Sequence, residues 1–263
     1  MNDVDVENVK DEKALINKKR LYSIIYLIAF VLLINSLPFN LFIKNEIILF
    51  VIDLVVKITS IIYILLYIKR EELNKLSFEK LKTSDLKFLP LLLLCGSNFF
   101  VAIFQNFVAK SNVDIFKIIT GFIISIGVAI VEELLFRSQV LEEFLKHKNK
   151  FQSIIYSSII FGSVHLLNIS SLSSIPTVLV QVFYTFFLGA VIGVIYVVRR
   201  IITIPMVFHF LFNFINDILI IELFVIKWDL VFFLVNIFVG IIIVLYMILL
   251  VYYRKKGVDA DVT

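Results

Sequence analysis

The stretch IITGFIISIGVAIVEELLFRSQV, residues 118–140, decides how this chain is read. From Ile118 to Val131 it carries no charge, and it has the length of about 20 residues that a helix needs to cross a bilayer. Its last nine residues nevertheless hold Glu132, Glu133 and Arg137. A charge at the centre of a spanning helix costs roughly 2.5–3.5 kcal/mol on insertion scales, so three such residues together call for a function.

The rest of the chain has the same character. Of 263 residues, 60% are hydrophobic and 17% charged, and the mean hydropathy is +1.00. Soluble domains carry about 25% charged residues, so a soluble globular chain is excluded, as is a disordered one. Apolar runs separated by charged breaks mark about eight helices, near 21–43, 47–68, 88–108, 118–140, 152–170, 176–198, 201–221 and 229–252. The fold class expected is all-α, a polytopic transmembrane bundle. Residues 1–20 form a charged N-terminus, 21–253 a single membrane domain and 254–263 a tail. The run 21–43 is too long for the apolar part of a cleavable signal and reads as a retained first span.

Lys and Arg set the expected orientation. With the N-terminus inside, the cytoplasmic segments hold 19 basic residues and the outer loops 4, which places both termini in the cytoplasm. The net charge of +4 and pI near 9.0 follow from these loops and call for no nucleic-acid partner. The single cysteine, Cys95, reads as a packing residue. Trp228 reads as an interfacial anchor, and 69–87 as either an interfacial amphipathic helix or a solvated linker.

The polar residues inside the spans carry the chemistry. Asp53 and Lys57 are four apart and can neutralise each other. Glu132 and Glu133 are adjacent, about 100° apart around a helix, so they cannot point the same way. Glu133 can pair with Arg137 at i, i+4, which leaves Glu132 without a partner on its own helix and suited to act as a general base on water. His165 and His209 lie in different spans, and Asn213 shares a face with His209. A carboxylate and imidazoles can activate water or bind a metal, while Asn or His can donate to an oxyanion. Asp217, one turn beyond Asn213, is a candidate supporting residue. At 1.5 Å per residue, Glu132 lies about 12 Å from residue 140, His209 about 12 Å from residue 201, and His165 about 20 Å from residue 152. Level placement therefore requires the fifth helix to begin near Ser157, or the boundaries to shift.

Glu132-Glu133-Leu134-Leu135-Phe136-Arg137 resembles the EExxxR motif of the CPBP (CAAX protease and bacteriocin-processing, or Abi) family of intramembrane proteases. Phe161-Gly162-Ser163-Val164-His165 resembles its FxxxH motif, and His209-Phe210-Leu211-Phe212-Asn213 its HxxxN motif. Pro205 precedes the third motif by four residues. Family members often have Gly after the motif Arg, where this chain has Ser138. The resemblance covers about 88–215 and implies a helix bundle with a site open toward the cytoplasm. By similarity, Glu132 and His165 position and activate water, and His209 and Asn213 stabilise the oxyanion. Glu133 and Arg137 then hold the geometry or contact the peptide. The resemblance also implies a metalloprotease, with Glu132, His165 and His209 as possible ligands of Zn2+, although HExxH is lacking.

The expected function is an intramembrane endopeptidase acting on a membrane-associated peptide or protein near the cytoplasmic face of a bacterial plasma membrane. The alternatives are a non-catalytic scaffold or bacteriocin-immunity factor of the same family, and a proton-coupled transporter or haem carrier. The prenylated CaaX peptide, a bacteriocin leader and a membrane-regulator peptide all fit the same site.

Overall fold

The computed structural model describes residues 3–70, 97–171, 175–227 and 229–260. Cys95, Trp228 and most of the 69–87 segment lie outside the described residues. Among these residues there is no strand, only an isolated antiparallel bridge between Ala109 and Phe224.

The helices are α1 (Asp3–Asn35), α2 (Glu46–Arg70), α3 (Ser97–Phe104), α4 (Ile115–Leu135), α5 (Lys150–Val164), α6 (Ile175–Arg199), α7 (Thr203–Asn213) and α8 (Leu230–Ala260). Helix α4 runs on through a π-turn, Phe136–Leu141, and a last segment, Glu142–His147. Helix α7 likewise continues through a π-turn, Phe214–Leu219, to Leu223. Such turns shift the helical register and recur at functional sites. Here each begins within or directly after a motif.

Five helices are long and apolar enough to cross a membrane: Lys19–Leu41, Glu46–Arg70, Ile115–His147, Gln181–Arg199 and Thr203–Leu223. Of the other expected spans, 88–108 falls partly outside the described residues, and the last contributes a shorter apolar stretch, Leu230–Ile243. The run 152–170 divides: α5 spans 15 residues and gives way at His165 to a 3-10 turn, His165–Ser171. At about 22 Å, α5 is shorter than the ~30 Å hydrocarbon layer.

Caps fix where several helices start. The Asp114 side chain accepts the Lys117 N–H at 3.1 Å, which holds its carboxyl below the usual carboxylate range. Asn149 accepts the Gln152 N–H at 2.9 Å and starts α5. Asn45 accepts the N–H groups of Ile47 and Ile48, both at 3.0 Å, and starts α2.

Helix α4 is central, with α2 and α7 against it and α5 and α6 paired alongside. One apolar cluster joins five helices through Leu27, Ile64, Leu135, Phe136, Phe161 and Ile192. The outer surface is apolar as well: Phe42 is 83% exposed, Tyr26 74% and Phe238 62%. A face of this kind suits lipid, not water.

The expected depth mismatch of His165 is corrected by the extent of α4. Helix α5 begins at Lys150, not near Ser157, and the fourth helix continues to His147 instead of stopping at 140. Glu132 and His165 therefore both lie 15 residues, about 22 Å, from the turn between the two helices. Arg200 Nη1 lies 2.7 Å from Glu142 Oε1, which sets the α6–α7 turn beside Glu142 and brings His209 to the same level. The helix continues past 140 because its acids are paired, Glu142 with Arg200 and Glu143 with Arg20 and Lys146.

Candidate active site

The two adjacent glutamates of α4 point to different surroundings. Glu133 is fully buried. Its Oε2 accepts from Arg137 Nε at 2.8 Å, one turn along the same helix. Its Oε1 lies 2.8 Å from His209 Nδ1 on α7. Because a carboxylate accepts, the His209 Nδ1–H donates, and Nε2 is the atom left to face outward. Glu132 keeps 24% of its side chain exposed. Its Oε2 is 3.5 Å from His209 Nε2 and accepts no hydrogen bond among the described residues.

Arg137 is also fully buried. Besides Glu133, it donates through Nη1 to the Gly189 carbonyl at 3.2 Å. Its guanidinium carbon sits 5.2 Å from the centre of the Phe161 ring. Nη2 has no partner among the described residues. One buried cation thereby ties α4, α5 and α6 together. Ser138, in the place where the family often has Gly, is buried and turns its hydroxyl back to the Leu134 carbonyl.

Phe161 is the hub between the motifs. It meets Phe136, His165 and His209 edge-on, with ring centroids 4.9, 5.4 and 5.7 Å away. Its carbonyl lies 2.9 Å from His165 Nδ1. A carbonyl only accepts, so Nδ1 carries the proton and a neutral His165 presents its Nε2 lone pair. His165 can play this part because α5 ends there: its N–H reaches Gly162 and Ser163, and the ring swings over the last turn.

Glu132, His165, His209 and Asn213 all line one cavity of about 220 Å3. Glu133 and Arg137 do not line it; they stand behind it and hold His209. The cavity is also lined by Asp217, the candidate supporting residue, and by Asn35, Gln181 and Tyr184, which sequence reading passed over. Lys57, paired with Asp53 at 2.9 Å as its i, i+4 spacing suggests, is buried and lines it too. Lys57 Nζ also donates to Asn35 Oδ1 at 2.8 Å. The available signal was Asn35 and Lys57 as polar residues inside apolar runs. A cross-helix contact between them has no sequence spacing to announce it.

As a metal centre the donor set is incomplete. Glu132 Oε2 and His209 Nε2 are 3.5 Å apart, and Glu133 on Nδ1 is the kind of partner that orients a ligating imidazole. His165 does not join them: among the described residues no three His, Cys, Asp or Glu side chains are grouped to hold an ion.

No curated protein and no solved structure matches the chain. The family model described as type II CAAX prenyl endopeptidase Rce1-like matches residues 114–215, which contain all three motifs and Glu132, His165, His209 and Asn213, so this segment is similar to the CAAX protease family, a peptidase family.

Proposed function

We propose that this chain is an intramembrane endopeptidase that hydrolyses a peptide bond of a membrane-associated peptide or protein by water activated at Glu132 and His165. The observation that carries this reading is the convergence of Glu132, His165, His209 and Asn213, from three separate motifs, on one cavity. Glu132 has a carboxylate oxygen without a hydrogen bond among the described residues, and His165, with Nδ1 on the Phe161 carbonyl, keeps Nε2 as its acceptor atom. Together they can orient a water and take its proton as it attacks the scissile carbonyl. His209, held by Glu133 through Nδ1–H, donates from Nε2–H in its imidazolium form, and together with the Asn213 amide N–H it faces the carbonyl oxygen as it becomes an oxyanion. Collapse of the tetrahedral intermediate returns the proton to the departing amine. Zn2+ held by Glu132 and His209 would polarise the carbonyl or the water. His165 stands apart from these two donors, so every step here is assigned to side chains.

The family name points to prenylated CAAX peptides as one substrate class. A membrane peptide without a prenyl group suits the same site. The proposed setting is a multi-pass protein of the plasma membrane with eight spans and both termini in the cytoplasm, supported by the 19-to-4 division of Lys and Arg. Comparative peptidomics of membranes from cells carrying the intact protein and Glu132→Ala tests the assignment. Peptides cut only with the intact protein are expected. Identical peptide sets with equal protein levels would overturn it, and a partner function that survives the substitution would support a scaffold instead.

A further inference from the structure

Hydrolysis consumes one water per bond cut, and a site among membrane helices has to be supplied with it. This inference rests on the endopeptidase reading above. A second cavity, of about 480 Å3, lies at the end of the bundle where α2 and α4 begin and α7 ends. Phe50, Phe116 and Ile218 form part of its wall, and Glu46, Lys117 and Glu222 mark its outer end. This is the end away from the His147–Lys150 and Arg199–Thr203 turns.

Two residues, Asn35 and Asp217, line both cavities. Between the cavities runs a short hydrogen-bonded chain. Asp53 borders the second cavity and accepts from Lys57 Nζ at 2.9 Å; Lys57 borders the reaction cavity and donates to Asn35 at 2.8 Å. Helix α4 holds the lysine stem in place, since a Cβ on Gly127 would come within 3.1 Å of it. Mutual neutralisation of Asp53 and Lys57 needs only those two side chains. It does not account for a lysine head that also binds Asn35 on the reaction-cavity side.

Water enters a cavity when there is room and when two to four polar partners receive it; an apolar constriction of the same width stays dry. Polar side chains at membrane depth mark pathways for the same reason. We propose that the second cavity is the water inlet of the reaction site. Water enters at the Glu46–Lys117–Glu222 end, passes between Asn35 and Asp217, and reaches Glu132 without crossing the space that the peptide fills.

The test uses the full chain in a Cys95→Ser background, reconstituted in vesicles, with a small charged, membrane-impermeant thiol reagent. Thr120→Cys reports on the second cavity and Val128→Cys on the reaction cavity. Both are expected to react faster with reagent on the Glu46–Lys117 side than with reagent on the other side. Val128→Cys reacting only from the opposite side, or Thr120→Cys reacting from neither, overturns the proposal. In the cleavage assay, a bulky adduct at Thr120→Cys is expected to lower kcat about tenfold with KM unchanged. Ile124→Cys is the second variant if Thr120→Cys folds poorly. An adduct that leaves kcat unchanged in protein that still cleaves also overturns it. The labelling reads the path without cleavage, so its result stands whether or not the endopeptidase assignment survives.

Discussion

Glu132 and Glu133 differ in nothing but position, yet they face opposite requirements. Glu133 has both oxygens committed, to Arg137 and to His209, in a fully buried setting. Glu132 has an oxygen without a hydrogen bond among the described residues and lines the cavity. The two amides of matching shape should therefore separate stability from activity. Glu133→Gln leaves the Arg137 guanidinium buried without its counter-charge and is expected to cost about 3–5 kcal/mol. Glu132→Gln breaks no hydrogen bond, only the 3.5 Å approach to His209 Nε2, and is expected to change stability by less than about 1 kcal/mol while lowering cleavage about 10²–10⁴-fold. Thermal unfolding in detergent beside a cleavage assay checks both, and equal losses of stability would remove the distinction. The Glu133–Arg137 pair and the free Glu132 were legible in the sequence, because an i, i+4 spacing is a local property. The Glu133–His209 bond was not, since it depends on how α4 and α7 cross.

At the scale of elements, the site rests on close approach of α5 to α6. A Cβ on Gly162 would meet the Val182 carbonyl at 2.9 Å, and one on Gly189 would meet the Phe161 ring at 2.9 Å. Small residues allow such contact between membrane helices, where packing replaces the hydrophobic drive. Gly162→Ala pushes against backbone that cannot turn aside and is expected to destabilise by about 1–3 kcal/mol. It would also displace Phe161, and with it the rings of His165 and His209. Gly240, in α8, has nothing among the described residues within 4 Å of an added Cβ, so Gly240→Ala is expected to be neutral or to stabilise by up to about 1 kcal/mol. Melting temperatures of the two variants measure the contrast, and similar values would argue against a tight α5–α6 seam. Helix positions could be read from apolar runs, but helix ends could not. Glu142 and Glu143 look like the start of a loop when their partners Arg200 and Arg20 are distant in sequence. The two π-turns carry no composition signal, although they set the register of the motif residues around them.

The whole molecule is asymmetric in charge from end to end. One end gathers Lys19, Arg20, Lys69, Arg70, Lys146, Lys148, Lys150, Arg199 and Arg200. The other end holds Lys44, Lys110, Lys117 and Lys227, and acids lie close by: Asp114 is 3.4 Å from Lys117, and Glu222 is 3.9 Å from Lys110. Unbalanced basic charge resists transfer across the membrane, which supports the proposed placement of the first end in the cytoplasm. With that placement the inlet cavity, lined by Glu46 and Lys117, would face the outside. Single cysteines in a Cys95→Ser background decide this in intact cells. Asn40→Cys, at the second end, is expected to react with an impermeant maleimide, and Gln152→Cys, at the start of α5, to react only after the membrane is opened. The reverse pattern would invert the bundle and place the inlet on the cytoplasmic side. The relation between the two cavities would survive that result, because it is set by Asn35 and Asp217 and not by the direction of insertion.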